Sequence, residues 1–248
     1  MGKQKEQKEY TEGIAVGESR TLSWLDNFWY HYKWVTIVVA FFLIVGIVCI
    51  AQACSVTPVD VNLTYAGPAT LSSAQKLAIH SVVARALPEG FSDKDSAEVN
   101  LINYYILSKE QIEEEQKKTN ADGSPVYVDT YFITNEQETF ESQMMTGSGA
   151  ILLIDPSIFD SLGGNAQSVR LRKLSEVLGY TPEGAINDFG IRLGDTELYR
   201  SNPELRVLPE DTVLCLHAKV VSQKQKDYDK QVEAFKALAI IAESEAAD

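Results

Sequence analysis

The spacing of apolar residues changes character several times along the chain. Residues 35–51, "VTIVVAFFLIVGIVCIA", carry no charge, and with Trp34, Gln52 and Ala53 the run reaches 20 residues. At about 1.5 Å per helical residue such a run spans roughly 30 Å, the thickness of a bilayer's hydrocarbon core. It has no polar face, which argues against a buried core helix. In lipid, a helix is the one local structure that satisfies its own backbone. A transmembrane helix is therefore expected at 34–53.

Beyond a short linker at 54–58, strand and helix periods alternate. "VDVNLTYAG" (59–67) alternates apolar and polar residues, the period of a strand, and stops at Gly67-Pro68. "SSAQKLAIHSVVARAL" (72–87) predicts a helix capped by Ser72 or Ser73 and ended by Pro88 and Gly90. "AEVNLINYYIL" (97–107) predicts a strand, and "SKEQIEEEQKK" (108–118) a solvated helix. "VYVDTYFIT" (126–134) is expected as a further strand, followed by a helix at 135–145 with Phe140 and Met144 on one face. Ala150–Ile154 form an apolar strand that ends at Asp155-Pro156 and passes directly into a helical Ser157-Ile158-Phe159-Asp160. An amphipathic helix is expected over 168–178, a mixed segment over 185–201 and a strand over 210–221. A terminal helix follows at 227–243, with Val232, Phe235, Leu238 and Ile241 on one side. This alternation predicts an α/β domain over 59–248 with a mainly parallel sheet covered by helices.

The residues around the apolar run set an orientation. Trp24, Trp29, Tyr30, Tyr32 and Trp34 make an aromatic cluster suited to the headgroup level, and Lys33 can reach the interface. Arg20 and Lys33 precede the run, whereas no Lys or Arg follows it until Lys76. The positive-inside rule then places residues 1–33, a polar tail plus the aromatic segment, on the cytoplasmic side, and 54–248 outside. The expected partner of this region is the lipid bilayer, and the expected location is the cell membrane, single-pass. "AQAC" (51–54) leaves a second reading open, in which the segment is cleaved or Cys54 is lipidated.

Charge and cysteine content narrow the picture further. The formal net charge is −13, and the first 34 residues hold five basic and five acidic side chains, so the acidity belongs to the outer region. Such a domain is not expected to bind nucleic acid or cling to anionic lipid. Cys49, Cys54 and Cys215 do not make a disulfide framework, so the roughly 190 residues outside must rely on an apolar core.

Catalytic patterns are sparse. The sequence has no G-x-S-x-G, H-E-x-x-H, P-loop or CxxC motif. Asp188-Phe189-Gly190 spells a kinase metal triplet without the phosphate loop or catalytic loop that gives it meaning. Cys215 and His217, two apart on a strand, point to one face and read as a packed pair rather than a nucleophile and base. Asp93, Asp95 and Glu98 loosely resemble a calcium loop, but Ala97 stands at the expected ligand position and the turn glycine is missing. No metal and no cofactor is expected, and the chain is expected not to be an enzyme.

The block "FESQMMTGSGAILLIDPSIFDSL" (140–162) resembles the extracellular solute-binding proteins of sugar ABC transporters, the type 2 periplasmic-binding fold. The residues carrying the likeness are Phe140 and Met144, the turn Gly147–Gly149, the strand Ala150–Ile154 and Asp155-Pro156. "VDVNLTYAGP", "LRKLSEVLGY" (171–180) and "YDKQVEAFKALAIIAE" (228–243) resemble that family's first strand, a leucine-rich segment and its last helix. The resemblance implies one lobe of a family whose members grip a ligand between two, attached here to a membrane. Tyr65, Gly67 and Asp155 would then line a ligand site at the carboxyl ends of adjacent parallel strands, where open α/β sheets bind. The bland alternative is that Asp155-Pro156 merely punctuates a buried strand.

The expected function is a non-catalytic, membrane-anchored domain that binds a solute such as a sugar, as an accessory to a transporter or sensor complex. The alternatives are a protein-interaction module with no small ligand, a secreted or lipidated extracytoplasmic protein, and, least supported, an extracytoplasmic hydrolase.

Overall fold

The computed structural model describes residues 20–54, 59–147, 149–162 and 165–242. The polar tail 1–19 and most of the linker, 55–58, lie outside these. The chain divides into two compact units, Met1–Val56 and Thr57–Asp248.

In the first unit the described residues form one helix, α1, from Arg20 to Cys54. Its stretch Phe28–Gln52, 25 residues, is long and apolar enough to cross a membrane, and none of its most apolar window is buried against protein. A signal sequence near an N-terminus has the same character. Helix and apolar stretch both begin before residue 34, because the aromatic residues Phe28 to Trp34 continue the helix without a breaker. Trp29, Tyr30, Tyr32 and Trp34 are exposed on it, and Phe28 stacks on Tyr32 one turn later at 5.3 Å between ring centroids. Trp24 falls on an earlier turn of the same helix.

The second unit is an α/β domain. In chain order its elements are β1 (Val61–Gly67), α2 (Ser73–Ala86), β2 (Val99–Tyr105), α3 (Lys109–Lys117), α4 (Thr130–Thr146), β3 (Ile151–Ile154), α5 (Pro156–Ser161), α6 (Asn165–Arg170), α7 (Leu174–Leu178), β4 (Ala185–Asn187), β5 (Gly190–Arg192), α8 (Glu197–Ser201), β6 (Val213–Leu216) and α9 (Gln225–Leu238). The six strands form one sheet in the order β2-β1-β3-β6-β5-β4. The parallel part is β2-β1-β3, with Leu63 opposite both Leu101 and Ile151. From β3 onward every pairing is antiparallel. The expectation of a mainly parallel sheet is corrected to a mixed one. The strand at 210–221 returns against β3, and a short hairpin, β4–β5, extends the sheet beyond it.

Strand parity sorts the core into two layers. Val61, Leu63 and Tyr65 of β1, with Ile151 and Leu153 of β3 and Leu214 and Leu216 of β6, face α2 and α9, where Ile79, Val82, Phe235 and Leu238 meet them. Ala66, Leu152, Ile154, Val213 and Cys215 face the other way, against Phe140 and Met144 of α4 and Phe159 of α5. Both faces are covered, which is why β3 reads as an unbroken apolar run.

Two other expectations are corrected. Residues 126–134 do not form a strand. Asp129 accepts a bond from the Phe132 N–H at 3.0 Å and starts α4 five residues before its expected beginning, while Tyr127 and Tyr131 stay exposed. The helix expected over 168–178 breaks in two, because Leu171 pairs with His217 as an extension of β6.

Candidate functional site

The strand order reverses direction at β1. The chain moves from β1 outward to β2, then crosses back to place β3 on the other side of β1. Such a switch point leaves a crevice outside the carboxyl ends of the two strands, the usual ligand position in open α/β sheets. Gly67 ends β1 there and Asp155 follows β3.

The fold brings Tyr65, Gly67 and Asp155 together. The Tyr65 ring lies so close under Gly67 that a Cβ at position 67 would sit 2.7 Å from the phenolic oxygen and 3.4 Å from the Asp155 Cβ. The polar groups of this trio are, however, taken up internally. The Tyr65 hydroxyl accepts the Ala69 N–H at 3.0 Å, and the side chain is fully buried. Burial raises its pKa to about 12, and the charges of Asp155 and Asp211 act in the same direction. Asp155 donates its N–H to Ala66 O at 2.8 Å, stitching the two strand ends together. Its carboxylate accepts bonds from the Ser157 N–H and hydroxyl, so it caps α5, with Pro156 as the first helical residue. The second carboxylate oxygen accepts the Gln111 side-chain amide at 3.0 Å. Asp155-Pro156 therefore serves as punctuation and also fastens α3 to β3.

An open cleft lies beside this junction. It has a volume of about 570 Å³ between the start of α3, the middle of α4 and α5. Its floor is apolar, from Ile106, Phe140, Met144, Ile158 and Leu162, and its rim carries Ser108, Lys109, Gln137, Glu141, Ser157 and Arg170. An apolar floor with a few polar and charged groups of both signs is the composition of a small-molecule site. Gln137, Glu141 and Arg170 had no mark in the sequence. Gln137 and Glu141 are four apart, so they share a helix face and hydrogen-bond at 3.1 Å, but only the packing of α4 beside α5 aims that face at the cleft.

On the other side of α5 a second recess, about 510 Å³, is lined by Asp160, Asp195, Glu210 and Asp211 with Arg192. Among the described residues no group of three or more His, Cys, Asp or Glu is placed to hold a metal ion. Asp188 of the kinase-like triplet is engaged by the Ser175 N–H and hydroxyl and by Thr181, which ties the β4–β5 turn to α7. Cys215 and His217 share a sheet face and are both buried. Burial raises the Cys215 thiol pKa well above its ordinary value and so keeps it protonated.

No protein family, no curated protein and no solved structure matches this chain.

Proposed function

We propose that this chain is a single-pass membrane protein that presents a non-catalytic binding domain outside the cytoplasm, related to one lobe of the periplasmic-binding fold. The observation that carries the reading is the cleft at the carboxyl ends of β2 and β3, adjoining the switch point of a 2-1-3 parallel unit. The ligand it suits is a small amphipathic solute with hydroxyls, such as an oligosaccharide. Its apolar face rests on Phe140 and Met144, and its polar groups meet Gln137, Glu141 and Arg170. With one wall missing relative to a two-lobed binder, affinity is weak unless a transporter or sensor partner completes the enclosure.

A second reading has its own support. Tyr127, Tyr131 and Phe132 are exposed within six residues at the start of α4, and exposed aromatic residues are enriched at protein interfaces. In that reading the domain is an interaction module without a small ligand.

Thermal unfolding of the full chain in detergent micelles, against a panel of oligosaccharides and short peptides, tests the first reading. Ligand at 100 times its dissociation constant adds about 2.7 kcal/mol to stability. A rise in melting temperature that disappears in Arg170→Ala or Gln137→Ala supports the cleft. A cooperative transition that no solute shifts removes it and leaves the interaction module. For orientation, protease added to intact cells is expected to digest the domain; protection of the domain would reverse the topology.

A further inference from the structure

We propose that β2, at the free edge of the sheet, pairs antiparallel with β2 of a second copy of this chain, so that two domains share one continuous sheet. The pairing involves the α/β unit alone and is independent of what the cleft binds.

The two edges of the sheet are unlike. At one end β4 is three residues long and meets β5 with a break in register, a form that discourages further pairing. At the other end β2 is seven residues long and follows β1 residue for residue, without a bulge. From Val99 to Leu107 the chain carries no charge, no proline and no glycine. The devices that normally keep an edge strand from finding a partner are absent from β2.

Hydrogen bonding shows which main-chain groups are open. The Ile106 N–H bonds to Gly67 O at 3.1 Å, and Glu98 O accepts the Val61 N–H at 3.1 Å, so the even-numbered residues of β2 turn toward β1. The odd-numbered residues therefore turn outward. The Tyr105 N–H is taken by the Glu136 carboxylate of α4 at 3.3 Å. Among the described residues no hydrogen bond engages the N–H or the carbonyl of Val99, Leu101 or Asn103. Free donors and free acceptors thus alternate along one short run of chain.

Such a run is its own complement. With Leu101 opposite Leu101 across a two-fold axis, Val99 of each copy meets Asn103 of the other, and every open N–H finds an open carbonyl. The Tyr105–Glu136 bond stays intact. Charge favours the same place. The chain carries a formal −13, and two acidic copies approach with least repulsion along an uncharged stretch. The nearest carboxylate in the chain, Glu98, falls opposite Tyr104, which keeps the two Glu98 side chains about 20 Å apart, beyond the screening length. Odd-numbered side chains of both copies point to the α2 face. There Leu101 packs on its counterpart, and Tyr105 of the second copy lies opposite Ala97. Ala97 lines an open recess of about 520 Å³ together with Leu77, an exposed leucine of α2. Both copies then carry α2 on one face of the shared sheet and α4, with its cleft, on the other.

The test uses the full chain in detergent micelles. Light scattering is expected to show the polypeptide mass rising to that of a dimer with concentration; a monomer at every concentration overturns the pairing. The contact is then located by oxidative crosslinking in a background of Cys49→Ala and Cys54→Ala. Residues 100 and 102 of opposite copies form a non-hydrogen-bonded pair, about 4.5 Å apart at Cα, a spacing that a disulfide spans. Asn100→Cys/Ile102→Cys is expected to give at least about fivefold more covalent dimer than Ile186→Cys on the β4 edge, a difference of about 1 kcal/mol. Equal crosslinking at the two edges overturns the proposal. Leu101→Lys sets like charges face to face and is expected to raise the dimer dissociation constant at least about fivefold. An undiminished dimer in that variant, with its melting temperature retained, places the contact elsewhere, α1 included, and overturns pairing through β2. Should that variant fail to fold, the crosslinking decides.

Discussion

The Asp155 carboxylate accepts a hydrogen bond from the Gln111 side-chain amide, and so the end of β3 holds the helix that follows β2. One buried side chain thereby caps α5 and bridges to α3, two elements that line the cleft. Its removal affects architecture before it affects any ligand.

Asp155→Ala is expected to destabilise the domain by about 2–3 kcal/mol, the sum of a lost cap and a lost buried, charge-assisted bond. Gln111→Ala removes the bridge and also the bond that its side-chain oxygen accepts from the Ser108 N–H at the start of α3, and should cost about 1–2 kcal/mol. Urea denaturation of both variants and of the double variant measures their coupling; strictly additive effects would show that the bridge contributes nothing.

Gly147 should tolerate no side chain. It holds φ at +71° as the left-handed cap of α4, and a Cβ there would collide with the Val220 side chain. Gly179 caps α7 at φ +83° with open space around it. Gly179→Ala carries only backbone strain, about 1 kcal/mol, whereas Gly147→Ala adds overpacking of about 1–3 kcal/mol. Comparable urea midpoints for the two would remove the argument from contact.

Asp60 gives a pH signature on the acid side. Burial opposes its ionisation, but bonds from Lys230, the Glu98 N–H and Ser92 prevail and hold its carboxyl below the ordinary 3.8. The native state therefore binds fewer protons than the unfolded one as pH falls. Its stabilisation is complete above about pH 5 and is lost as pH drops through the folded-state value. Asp60→Asn should flatten the stability profile between about pH 5 and 3, and an unchanged slope would assign acid lability elsewhere.

His217 acts on a higher window. Burial lowers its pKa below 6.5 and Arg170 adds to this, while the carbonyls of Ala218 and Met144 oppose it. The unfolded chain takes the proton first, so the contribution of His217 is present above about pH 6.5 and declines below it. His217→Gln should remove that decline, which urea midpoints at pH 7.5 and 5.5 would reveal.

Phe140 joins the core to the cleft floor, with its ring 5.8 Å from that of Tyr104. Phe140→Ala is expected to cost about 3–5 kcal/mol. A smaller loss would indicate that the cleft collapses into the space.

Much of this was legible in the residues. The apolar run of α1, the alternation of β1, the Ser72 cap of α2 and the Phe140–Met144 face of α4 each follow from spacing alone. The segment 126–134 misled because Val126, Tyr127 and Val128 have strand-like side chains. The decisive signal was Asp129, whose capping bond outweighs a weak propensity. The three-residue strands β4 and β5 are too short to show a period. The reversal of β6 depends on the excursion from Leu193 to Thr212, whose course no local pattern specifies. At the site, Asp155 could be read as a cap, and Gly67 as a turn, but the rim of Gln137, Glu141 and Arg170 exists only once α4 and α5 are packed.

The position of β6 has a consequence for how the domain is made. It is the last strand among the described residues, yet it lies between β3 and β5 in the sheet. Gln231, just beyond it, closes a bond to Asn62 across 169 residues. The parallel half emerges early during synthesis but has nothing to complete its edge until residues 213–216 arrive. Contacts of such long range make closure slow and all-or-none. The sheet is thus completed only when residues 213–216 take their place between its parallel half and the β4–β5 hairpin.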